Sequence, residues 1–270
     1  MESLTHEQAT LYPQPSTHVS DLLRDLQGLQ FDREAKASDL ELLIDYLEIV
    51  AVAAGEKPAH LQGQGMRSKT FMHALRSVAT AHGLLVMQTG PLLPRFLRAP
   101  NYDPRLFEWE RQRDREARAR EGQVLWIYRD RALEPAIMKA SEGETDVSEV
   151  LGYPACCVRE YFEMGVRMSE AVVRGYQTQY GAKDTDDFIR LAKANALVTI
   201  PPADRPHVRH DVFPYVQFSP CRQCAESPTS PAAEINWAMK RLATRVSPAF
   251  QRAIEKAIKA EAAARKTHRR

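Results

Sequence analysis

The sequence predicts a mainly α fold, a helical protein with a small accessory β-sheet. Two observations lead there. Apolar residues recur at helical intervals through most of the chain, and two short apolar runs, Leu84-Leu85-Val86-Met87 and Val124-Leu125-Trp126-Ile127-Tyr128, each flanked by glycine or a charged cluster, break that rhythm. No longer period repeats along the sequence, which excludes a solenoid or other repeat architecture.

Taken in order, Val19 to Leu29 has the apolar spacing of a helix. Ser38 to Val50 follows as a stronger one, with Leu40, Leu43, Ile44, Leu47 and Val50 on one stripe. Ser38 is placed to cap its start, and Gly55 followed by Pro58 ends it. Lys69 to Ala81 repeats the pattern. Within it His73 and Met72, with Met66 just before, read as parts of an ordinary amphipathic helix. The runs 84–87 and 124–128 read as buried strands, while Pro104 to Gly122, opening on proline and alternating in charge beyond Trp109, reads as a solvated helix. Arg131 to Gly143 is helical, and so is Phe162 to Ala196, broken around Gly181. Thr199 to Pro220 holds five prolines and reads as an ordered loop; its last part, Pro214 to Pro220, suggests a third extended piece confined to a sheet edge. Ala232 to Arg245 and Pro248 to Ala264 form a final helical pair. These boundaries suggest an N-terminal helical region over 1–122, a four-cysteine metal-site domain over 123–250 and a basic helical tail over 251–270.

The formal charge of +2 over 270 residues conceals an asymmetry. From Gln251 to Arg270 seven basic residues face Glu255 and Glu261, so the rest of the chain is net acidic. A basic tail of this kind complements a helix carboxyl end, and nucleic acid is a partner only through it. No apolar run reaches membrane-spanning length, since Glu41, Asp45 and Glu48 interrupt the most apolar helix. The start of the chain, to Pro15, lacks a basic stretch followed by an apolar one, so the expected compartment is the cytoplasm, where thiols stay reduced.

That matters because the chain has four cysteines and keeps all of them in two tight pairs, Cys156-Cys157 and Cys221-x-x-Cys224. Cysteines kept for packing would be scattered, so the pattern points to one site built from four sulfurs. Gly152 and Pro154 set up a helix start, placing Cys156 and Cys157 in its first turn, where free amides and the helix dipole favour thiolate. Pro220 sets up the same arrangement at the second pair, with Cys221 and Cys224 on one side of a turn. Neighbouring cysteines cannot bridge to each other, because a trans peptide holds their Cα atoms too close for a disulfide. Zinc takes four sulfurs at about 2.3 Å, usually from two C-x2-4-C knuckles. Here one pair is adjacent, pointing roughly 100° apart on a helix, and 63 residues lie between Cys157 and Cys221. An iron-sulfur cluster offers each cysteine its own iron, so a [4Fe-4S] cluster is the first expectation and zinc the alternative.

The layout is similar to the cysteine-rich domain of heterodisulfide reductases, whose sulfurs hold an iron-sulfur centre, although Val158 stands where that motif has glycine and its additional upstream cysteine is absent. Over Leu125 to Phe250, Leu151-Gly-Tyr-Pro-Ala-Cys-Cys-Val-Arg-Glu-Tyr-Phe and Phe218-Ser-Pro-Cys-Arg-Gln-Cys-Ala-Glu-Ser more closely resemble a prokaryotic family of unknown function that carries L-G-Y-P-x-C-C and P-C-x-x-C. The resemblance implies a shared site at Cys156, Cys157, Cys221 and Cys224. It implies no reaction.

Around these positions, His207, His210 and Asp211 in the proline-rich loop are candidates for proton donors, supporting groups or substitute ligands. Tyr153, Arg159 and Glu160 flank the first pair. Gly63-Gln-Gly65 is too short for a phosphate loop, and neither a dinucleotide fingerprint nor a serine triad is present. The function expected is therefore an iron-sulfur protein serving a redox partner protein or a small-molecule substrate, with an iron-sulfur dependent oxidoreductase or lyase as its form if it is an enzyme. The alternatives are a zinc-stabilised binding module and a thiol redox protein.

Overall fold

Helix α2 (Asp39–Ala54) is the spine of the fold. Its sixteen residues include no basic side chain in the last turn and a nearly unbroken buried run from Ile44 to Val52, so it is covered on every side and not only along the expected stripe. A computed structural model describes residues 15–29, 39–63, 68–90, 124–194, 196–201 and 212–268. The expected helix over Pro104 to Gly122, the cap Ser38, and His207, His210 and Asp211 lie outside the described residues.

Helix α1 (Pro15–Gln27) packs on α2, as do two helices from the other end of the chain, α9 (Pro231–Val246) and α10 (Pro248–His268). Leu22 and Leu26 of α1, Leu47 and Val50 of α2, Leu242 of α9 and Ile254 of α10 share one core. Each such leucine, taken wholly from water, contributes about 2 kcal/mol. Helix α3 (Lys69–Ala81) adds Phe71, Leu75 and Ala79, and starts as capping rules require, with Ser68 Oγ accepting from the Phe71 amide at 3.1 Å.

A three-stranded antiparallel sheet lies against this bundle in the order β1 (Ala59–Gln62), β3 (Val124–Tyr128), β2 (Leu85–Thr89), with His60 opposite Ile127 and Met87 opposite Trp126. Every residue of β3 is buried because both faces are covered. Leu125 and Ile127 face the α1–α2–α3 core. Trp126 and Tyr128 face a second core, formed with Ile137 of α4 (Glu134–Ser141) and Val150 of α5 (Val147–Leu151).

The two strands expected from apolar runs are present, but the third is not where the prolines suggested. Pro214 to Pro220 is irregular. Its amides turn elsewhere, Tyr215 N–H donating to Asn236 Oδ1 at 3.0 Å and Val216 N–H to the Phe213 carbonyl at 3.3 Å, so the segment has no ladder to join. The third strand is β1, whose Ala-His-Leu-Gln sequence lacked an apolar signature because His60 and Gln62 are buried polar residues.

Past the sheet, α6 (Ala155–Tyr180) runs to Gly181, whose φ of 67° provides the left-handed stop, and α7 (Thr185–Lys193) folds back with Phe188 and Leu191 against it. A one-turn helix, α8 (Arg222–Glu226), precedes α9. No described helix is long and apolar enough to cross a membrane.

Candidate metal centre

Two helix beginnings meet at the cysteines. Gly152, at φ 72°, ends α5 and lets the chain turn tightly under Pro58; Tyr153 and Pro154 then launch α6, whose first turn closes with Cys157 and Val158 amides on the Pro154 carbonyl. Cys156 and Cys157 therefore sit in the first turn as expected. Cys221 is not inside the second helix but caps it, its Sγ accepting from the Cys224 amide at 3.4 Å.

All four Sγ atoms lie within 4.8 Å of one another. Cys156 and Cys224 are 3.5 Å apart, and the Cys221 amide points at Cys157 Sγ at 3.3 Å. Cys157, Cys221 and Cys224 are buried among Phe213, Val216, Phe218 and Ala233, while Cys156 is half-buried at the rim. Among the described residues this is the one cluster of cysteine, histidine and carboxylate side chains with metal-ligand spacing.

The thiols do not share one acidity. Burial pushes Cys157 well above the ordinary thiol range, outweighing the Cys221 amide that favours its thiolate, and burial likewise raises Cys221. Burial acts on Cys224 in the same direction, but the Ala232 amide and the surrounding thiols all donate to it and bring it below its ordinary value. The expectation that the first pair would be acidified by its helix start thus fails for Cys157. Its sulfur is buried in a cluster with Phe213 and Phe218, and this desolvation exceeds what the Cys221 amide returns. Four thiolates crowded into such a pocket need a cation to be stable together.

The flanking residues fall into distinct places. Tyr153 packs its ring on Phe218, 4.7 Å between centroids, and carries the Lys57 ammonium 5.2 Å above it. Glu160 Oε2 accepts from the Arg222 amide at 2.9 Å, joining α6 to α8 beside the sulfurs. Arg159 is exposed, as is His73, and Met72 is in the main core.

Sequence reasoning missed a polar cluster behind Tyr153. Glu48 Oε2 binds both Lys57 Nζ at 2.6 Å and His60 Nδ1 at 2.9 Å, all three side chains at most 9% exposed. One turn earlier on α2, Asp45 accepts from the Gln217 amide nitrogen. Burial opposes the charge of Glu48, yet the Lys57 ammonium and His60 outweigh it and hold the carboxyl down at about 2. The available signal was two carboxylates, Asp45 and Glu48, three positions apart within the otherwise uncharged run from Leu42 to Ala54. No protein-family model, curated protein or solved structure matches the chain.

Proposed function

We propose that Cys156, Cys157, Cys221 and Cys224 bind one tetrahedral metal ion, zinc, and that this centre staples the start of α6 to the segment carrying α8. The observation that carries it is the separation of the sulfurs, all within 4.8 Å. With Zn–S bonds of about 2.3 Å, the edges of a tetrahedral site are about 3.8 Å, so small side-chain movements close the shell. A [4Fe-4S] cluster, the first expectation from the adjacent pair, needs its four sulfurs roughly 6 Å apart on separate irons. That would require the two helix beginnings to move apart.

Four thiolates fill a zinc shell and leave no open position, which is the pattern of structural sites. The amides of Cys221 and Cys224, directed at sulfur, spread the negative charge that a four-thiolate zinc centre retains. The metal's work is then architectural, fastening two stretches of chain already joined by the Tyr153–Phe218 ring contact and the Arg222–Glu160 hydrogen bond.

Metal analysis of anaerobically purified protein tests this. One zinc per chain in a colourless preparation, replaced by cobalt with the absorption of tetrahedral thiolate ligation, is the expected result. A brown preparation with matched iron and sulfide would establish the cluster instead. Metal-free protein with four titratable thiols would leave thiol redox chemistry.

A further inference from the structure

The two buried carboxylates of α2 reach toward both cysteine-bearing segments. Asp45 holds Gln217, four residues before Cys221. Glu48 holds Lys57, and Lys57 lies over the ring of Tyr153, three residues before Cys156. Asp45 and Glu48 are three positions apart and so share a helix face, and both are under 8% exposed. Tyr153 and Phe218 then touch each other, closing a ring of contacts from one helix through both loops. Burying such charges is unfavourable unless they are paired, and apolar residues of similar size would serve α2 packing as well. Their placement accounts for them: each holds, directly or through Lys57, a segment that delivers two sulfurs.

We propose that Asp45 and Glu48 are positioning residues for the metal centre, α2 presetting the two cysteine pairs at ligand spacing before the ion arrives. This rests on the metal-centre reading above. Groups that orient ligands without touching the metal raise affinity by roughly 10- to 100-fold, and the Asp45–Gln217 and Glu48–Lys57–Tyr153 links are such groups.

Zinc affinity of the full chain is measured by chelator competition, with the cobalt spectrum as a report on ligand geometry. Asp45→Leu and Gln217→Leu are each expected to weaken zinc by about 10- to 100-fold and to alter the cobalt bands, while Asp45→Asn, which keeps an oxygen for the Gln217 amide, stays within about threefold of wild type. Lys57→Met tests the other arm in the same way. Gln217 is only partly buried, so its variant keeps the test open should Asp45→Leu fail to fold. Unchanged zinc affinity and cobalt bands in Gln217→Leu and Lys57→Met, even with a lowered melting point of the metal-free chain, would show a purely structural role and overturn the proposal. A wild-type chain that takes up neither zinc nor cobalt would overturn the metal centre itself, and the positioning role with it.

Discussion

The Sγ atoms of Cys156 and Cys224 lie 3.5 Å apart although 68 positions separate them in the chain. No regular element contains both. They meet because the first turn of α6 and the single turn of α8 converge, with Glu160 bonded across to the Arg222 amide. An ion held there, as proposed, would tie the fold to metal supply.

Removing zinc with a chelator should therefore lower the melting temperature. With free zinc at about 100 times its dissociation constant, binding adds about 2.7 kcal/mol to stability. Cys221→Ser or Cys224→Ser should melt like the chelated wild type and ignore added zinc. Calorimetry with and without chelator reads both, and a wild type indifferent to the chelator contradicts the prediction.

Alkylation should distinguish the four sulfurs. Cys156 is half-buried and the other three are buried, so in metal-free protein Cys156 should be modified first. Zinc should protect all four. Mass spectrometry of peptides after brief iodoacetamide treatment gives the order, and faster labelling at any of the three buried thiols, the more acidic Cys224 included, would contradict it.

Acid should expose the Glu48 pair. Its carboxyl is depressed from 4.5 to about 2 on folding, so its stabilisation is complete above about pH 4.5 and is lost as pH falls toward 2. The full effect is about 3 kcal/mol at neutral pH. Glu48→Gln removes the titrating group, so in metal-free protein, with chelator present, the stability gap between wild type and variant should narrow over that range. Urea unfolding at several pH values measures the gap, and a constant gap would refute the assignment.

Gly152→Ala should be more disruptive than Gly83→Ala. Both glycines have positive φ, 72° and 76°, and both changes incur a left-handed strain of roughly 1 kcal/mol. Only at Gly152 would the new methyl also press on Pro58, 3.0 Å away, whereas nothing lies within 4 Å at Gly83. The urea midpoint of the Gly152 variant should be the lower of the two, and equal midpoints would show that the Pro58 contact yields freely.

Elements with a strong periodic or apolar signal were legible in the sequence. Val124 to Tyr128 declared itself because cores on both faces demand apolar residues at every position. Lys69 to Ala81 agrees to the residue. Strand β1 was hidden, since its His60 is satisfied by Glu48, a partner twelve positions away that no local pattern reveals. The convergence of the cysteines was legible because sulfur occurs nowhere else as cysteine. The spacing between sulfurs was not, because it depends on how α6 and α8 meet. Acidity at Cys157 was misjudged for a similar reason: the helix start is written in Gly152 and Pro154, but the desolvating Phe213 and Phe218 arrive from far along the chain.

The apolar surface of α2 has consequences during synthesis. Leu42, Leu47 and Val50 leave the ribosome long before α9 and α10, which supply Leu242, Phe250 and Ile254 to cover them. All four thiols are translated before those helices are complete. Until α9 and α10 emerge, the nascent chain therefore carries an uncovered apolar helix together with all four thiols, a state in which exposed apolar surface favours aggregation.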